Sequence, residues 1–117
     1  MSPGFGGRNP FGALGDLNRL VRQAQKMQED LQAAQEELEQ ARITASSGGG
    51  AVVATVTGKG RLLDLSIRPE VVDSNDVEML QDLIVTAVRE AQTQAEQHAK
   101  KRMEEIAGAS GMPPGLF

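Results

Sequence analysis

From residue 17 to residue 41 the small and apolar side chains fall at Leu17, Leu20, Ala24, Met27, Leu31, Ala34, Leu38 and Ala41, with gaps of 3, 4, 3, 4, 3, 4 and 3. An unbroken alternation of threes and fours keeps one narrow stripe on one side of a helix, the a/d seam of a coiled coil. The spacing predicts a helix about 37 Å long at 1.5 Å per residue. Asp16 stands in the N-cap position of that helix, where a short acceptor side chain satisfies free backbone N–H groups.

A second long helix is predicted within residues 73 to 107. It opens on "DSND", rich in capping residues, and ends before Gly108. Val77, Leu80, Ile84, Val88, Ala91, Ala95, Ala99, Met103 and Ile106 recur every three or four residues along it. The face is bulky at first and then mostly alanine, so the first half is expected on a sheet and the second half against another helix.

Between the helices, "AVVATVT" and "RLLDLSI" flank Gly58-Lys59-Gly60, and Pro69 follows. Apolar, partly β-branched runs joined by a short glycine turn predict a β-hairpin. "RITAS" at 42 to 46 is a candidate earlier strand, with the triplet Gly48, Gly49 and Gly50 allowing another reversal, which leaves two or three antiparallel strands. The glycines also raise the question of a phosphate loop. That motif needs a glycine five residues before Gly58, a Ser or Thr after Lys59 and a helix beyond. Here those positions are Val53 and Gly60, and a strand follows, so the glycines are read as turn residues.

All thirteen glycines lie in residues 4–15, 48–60 and 108–115. These breakers divide the chain into an N-terminal tail, 1–15, a single α-β-α domain, 16–107, and a C-terminal tail, 108–117, with both tails expected to be flexible. With 117 residues, no Trp, no Tyr and three Phe, a compact core would be thin, which favours long helices or a core shared in an oligomer. No cysteine is present for disulfide or thiolate chemistry. The N-terminus lacks the pattern of a signal peptide and no run has the length of a membrane span, so a cytoplasmic protein is expected.

No catalytic constellation is legible, and no cofactor, metal or small-molecule substrate is expected. The single histidine, His98, sits among Gln97, Lys100 and Lys101, which suits a solvated helical surface. Glu36, Glu37 and Glu39 cluster with no nucleophile or base nearby and are read as a solvated face. Met27, Met79 and Met103 stand at core spacing as gap-fillers.

Charge is distributed unevenly. Residues 1–28 carry +3, residues 29–96 carry −8, with five basic against thirteen acidic side chains, and residues 97–117 carry +1. Antiparallel helices are expected to bring Arg19, Arg22 and Lys26 near Lys100, Lys101 and Arg102 as one basic tip. Cations early in a helix oppose its dipole, so an anion-binding role and simple charge pairing compete to explain them. The hairpin cations Lys59 and Arg61 stand beside Asp64. A pI near 5.0 argues against a dedicated, tightly clamping DNA domain.

Four segments, "LVRQAQKMQEDLQAAQEEL", "GGGAVVATVTGKGRLLDLSI", "DVEMLQDLIVTAV" and "GMPPGLF", lie in the order and spacing of one family. Over nearly the whole chain they resemble the YbaB/EbfC family of bacterial nucleoid-associated proteins. The resemblance implies a protomer of α+β class, with a long helix, a three-stranded antiparallel sheet and a long helix, paired into a tweezer-like homodimer. It also implies a cytoplasmic, nucleoid location and binding of double-stranded DNA, with low or broad sequence specificity and an influence on nucleoid organisation and gene expression. Its projecting helices carry the DNA contact, and the basic residues on the matching segments are Arg19, Arg22, Lys26, Lys100, Lys101 and Arg102. Two rival readings are a prefoldin-like holdase, which would grip non-native chains by apolar tips, and an assembly partner of replication or recombination proteins.

Overall fold

The computed structural model describes residues 10–109, with side chains described from Leu14 onward. The order is α1 (Pro10–Gln40), β1 (Arg42–Ser47), β2 (Val52–Thr57), β3 (Leu62–Ile67) and α2 (Val77–Ala109), with single 3-10 turns at Gly48–Gly50 and Pro69–Val71. The strands form one antiparallel sheet in the order β1-β2-β3. The segment beginning at Arg42 is therefore a true strand, and the fold is the expected α+β arrangement.

α1 begins at Pro10, six residues before the expected cap. Proline suits a first helical turn because its φ is already helical and its missing N–H would have had no partner there. Asp16 consequently lies inside the helix and accepts a hydrogen bond from Arg19 at 3.0 Å instead of capping. Residues 10–15, expected in the N-terminal tail, belong to this helix, while residues 1–9 lie outside the described residues. α2 starts as its capping residues predict: Asp76 Oδ1 accepts the Met79 N–H at 3.2 Å. It runs to Ala109, past Gly108.

The turn glycines have two separate physical reasons. Gly48, Gly49 and Gly50 take φ of +59°, +66° and +91°, three left-handed residues in succession that reverse the chain from β1 into β2. Gly58 is required by proximity. Its N–H donates to the Leu38 carbonyl at 2.8 Å, and a Cβ there would stand 2.7 Å from that oxygen. The hairpin turn is thereby docked on the last turn of α1.

The core lies between the sheet and α2. Ala45 of β1, Val52, Ala54 and Val56 of β2 and Ala87, Ala91 and Ala95 of α2 form one buried cluster, flanked by the half-buried Leu80, Leu83, Ile84 and Val88. Cross-strand register places Ala45 opposite Ala54 and Ala54 opposite Leu65. This corrects the expectation that the alanine-lined half of α2 would lie against a helix. Ala91 and Ala95 sit on the sheet, because small residues on both surfaces let helix and sheet approach closely. The last stretch of α2 meets α1, where Arg102 pairs with Glu37, and Ile106 and Ala107 of α2 and Ala34 and Leu38 of α1 are buried.

Candidate nucleic-acid interface

The position of α1 relative to α2 decides where the cations stand. One residue, Ala41, separates α1 from β1, so the C-terminal end of α1 is held at the sheet. Arg102 of α2 reaches it with a forked contact, Nε to Glu37 Oε2 at 2.9 Å and Nη2 to Oε1 at 3.3 Å. From this pair the two helices run antiparallel. α2 ends seven residues beyond Arg102, whereas α1 continues from Glu37 back to Pro10, 27 residues away. Burial on α1 follows the same division, since every described residue from Leu14 to Lys26 is exposed. The first half of α1 is therefore a single helical arm reaching past the end of α2, and the molecule measures 92 × 22 × 16 Å.

Arg19, Arg22 and Lys26 occupy this arm. Their spacing of three and four residues puts them on one face, turned away from the Leu17, Leu20 and Ala24 stripe. Arg22 has no ion-pair partner among the described residues. Arg19 pairs with Asp16 at 3.0 Å and Lys26 with Asp30 at 3.6 Å, both local pairs in solvent. Exposed pairs of this kind contribute about 0–1 kcal/mol, so a phosphate can displace them at little cost.

Lys100, Lys101 and Arg102 stand elsewhere. At 1.5 Å per residue, Lys26 lies about 16 Å and Arg19 about 27 Å from the Glu37 level along α1. The single basic tip is thus corrected to two groups, because α2 spends its first half crossing the sheet and ends where the arm begins. Within the second group Lys100 and Lys101 are exposed, while Arg102 is committed to Glu37 and also faces Glu105 at 3.7 Å.

The forked hydrogen bond from Arg102 holds the Glu37 carboxyl below its ordinary value of 4.5, and Glu37 raises the Arg102 guanidinium in turn. A depressed carboxylate pKa stabilises the fold above the unfolded value, and the contribution disappears as pH falls through the folded value. Arg102→Ala is therefore expected to lower the denaturant midpoint at neutral pH. Its difference from wild type should close once the pH drops below the lowered pKa of Glu37. A difference that persisted unchanged in acid would show that Arg102 acts by packing alone.

A third cationic feature appears only in the folded chain. Arg42, Lys59 and Arg61 line a cleft of about 390 Å³ with Glu39, Gln40, Thr57 and Leu63. Much of its charge is already engaged. Lys59 Nζ donates to Glu39 Oε1 at 3.0 Å, and Arg42 Nη1 donates to the last two α1 carbonyls, of Glu39 and Gln40, and to that of the linking residue Ala41. Thr57 Oγ1 fixes the turn by accepting the Lys59 and Arg61 N–H groups at 3.2 Å each. The sequence signal for this cleft is a strand opening on Arg42 and a glycine-lysine-glycine-arginine turn that pairs back beside it. His98 lies on the exposed surface near Glu37, and no cluster of metal-ligating side chains occurs among the described residues. Among those residues, no helix is long and apolar enough to cross a membrane.

Comparison with known proteins agrees with this architecture. The YbaB/EbfC DNA-binding family matches residues 14–110. A nucleoid-associated protein of Acetivibrio thermocellus is 48% identical over 115 residues, covering 98% of this chain and 95% of the relative. One from Rhodococcus erythropolis is 46% identical over 106 residues, covering 90% and 95%. Among solved structures, the uncharacterized protein HP0035 from Helicobacter pylori is similar with a TM-score of 0.57 at 26% identity, over 67% of this chain and 90% of that one. With a family match across most of its length and relatives near half identity, the chain belongs to the YbaB/EbfC DNA-binding family.

Proposed function

We propose that this protein binds double-stranded DNA through phosphate contacts, as a homodimer with low or broad sequence specificity, in the cytoplasmic nucleoid of a bacterium. Through that binding it would influence nucleoid organisation and gene expression. The observation that carries the reading is the exposed cation face of the α1 arm, Arg19, Arg22 and Lys26, in a chain whose family binds DNA. Lys100 and Lys101 add a second exposed pair on α2. Lysine and arginine on a long helix with no base-reading pattern suit backbone contact, which positions a protein on the duplex without reading sequence. Relatives named as nucleoid-associated support the location. The homodimer is supported by apolar side chains left open beside the sheet: Leu62 and Leu63 of the edge strand β3 are each 45% exposed.

Anisotropy titration of full-length protein against duplexes of unrelated sequence, at several salt concentrations, tests this reading. Equal affinities at a given salt, falling together as salt rises, are expected. One sequence bound many-fold more tightly than its scrambled version would overturn broad specificity. A holdase reading is favoured by one observation, the exposed Leu14, Leu17 and Leu20 of the arm. It would be adopted if the protein suppressed aggregation of a denatured client yet left duplex DNA unbound.

A further inference from the structure

The seam of small and apolar residues along α1 is continuous, but its burial is not. Ala34 and Leu38 are buried, Met27 and Leu31 are half-buried and Ala24 is exposed, while Leu14, Leu17, Leu20 and Val21 are 47–60% exposed. α2 stops where the seam opens. Ala109 lies seven residues past Arg102, which pairs with Glu37, so in antiparallel helices of equal rise the end of α2 comes about level with Asp30. From there the chain continues as "SGMPPGLF", residues 110–117, which lie outside the described residues. The segment has no charged side chain and holds three large apolar ones, Met112, Leu116 and Phe117. A helix draws most of its stability from packing its apolar face, and on the arm that face is uncovered.

We propose that residues 110–117 form a strap that runs back along the arm of the same chain and covers its leucine stripe. Reach fits the surface. Pro113 and Pro114 bar a continued helix and favour an extended path of about 3.1 Å per residue, so eight residues span ~25 Å, the rise of ~16 helical residues. Counted from the level of Asp30, that path brings Met112 near Ala24 and Leu116 with Phe117 near Leu17 and Leu14. The strap is thus long enough to follow the open part of the seam and carries its large side chains at both ends of it. Its prolines also bring no N–H group that would lose water on docking. Attachment favours this occupant over any free one, because a segment tethered beside its site acts at an effective concentration in the millimolar range. Arg19, Arg22 and Lys26 lie on the face turned away from the stripe, so a seated strap leaves them in solvent. The contact is made within one chain and rests on neither the DNA reading nor the homodimer reading.

The chain contains no cysteine, so a pair of introduced thiols can report the contact in the full-length protein. A disulfide closes only where two Cα atoms come within about 7 Å. Under mild oxidation Leu17→Cys with Leu116→Cys is expected to cross-link within one chain, at least ~10-fold faster than Arg22→Cys with Leu116→Cys, whose arm position faces the other way. Non-reducing electrophoresis and mass spectrometry read the product. Equal rates for the two pairs would overturn the strap, and so would a covalent product of doubled chain mass, which would seat the segment on a second copy. Hydrogen exchange supplies a test without cysteines. In Met112→Ser with Leu116→Ser and Phe117→Ser, the amides from Leu17 to Met27 should exchange at least ~10-fold faster than in wild type, while those of β2 and of α2 from Ala87 to Ala95 keep their protection. Arm amides that exchange at the wild-type rate in this variant would overturn the proposal.

Discussion

Replacing Arg19, Arg22 and Lys26 together by alanine is expected to weaken binding to every duplex and to flatten the salt dependence. Each cation that no longer neutralises a phosphate lowers the slope of log affinity against log salt by about 0.9, so removing all three reduces it by ~2.7. The fold should be indifferent to the change. All three side chains are exposed, and two of them hold only local surface pairs. Helix polarity adds nothing, because α1 begins at Pro10 and Arg19 therefore stands beyond the first turn, where the dipole is no longer felt. A melting temperature that fell in step with affinity would mean that these cations support structure. The informative comparison is Lys59→Ala with Arg61→Ala. If that pair abolished binding and the arm variant kept it, the interface would move to the cleft beside the hairpin. The engagement of Lys59 by Glu39 weighs against that outcome.

The second large effect is expected far from any charge. Ala87, Ala91 and Ala95 are at most 1% exposed and meet Val52, Ala54 and Val56 across the core. Their small size sets the distance between α2 and the sheet, and close-packed interiors tolerate added volume poorly. Ala91→Leu should therefore destabilise the protein by ~1–3 kcal/mol. At about 4–8 °C per kcal/mol for a domain of this size, differential scanning calorimetry would read the change directly. DNA affinity measured well below the transition should be retained, since the arm lies outside the sheet core. A melting temperature equal to wild type would show that the helix can shift to admit the leucine.

The elements themselves were legible in the sequence. The spacing from Leu17 to Ala41 allows only one helical face, the Gly58-Lys59-Gly60 turn separates two apolar runs, and the glycine triplet stands where β1 must reverse. These are local effects, governed by backbone chirality and by the period of the apolar pattern, and neighbours in sequence suffice to produce them. Even so, sequence alone starts α1 seven residues late, at Leu17, because Asp16 has the chemistry of a cap and Pro10 equally has the chemistry of a first turn.

The partner of each face was a matter for tertiary structure. An alanine stripe such as Ala91 and Ala95 suits a close helix or a close sheet equally, and Ala54 on the facing strand decided for the sheet. The six cations were identifiable by residue type, yet their grouping depended on a distance no periodicity contains. A one-residue link holds α1 at the sheet, α2 must first cross that sheet, and Glu37 meets Arg102. Those three constraints end α2 halfway along α1, which separates Arg19, Arg22 and Lys26 from Lys100, Lys101 and Arg102. Chain connectivity and core packing act over tens of residues at once, so the arm, its exposed leucines and its cation face took shape only in three dimensions.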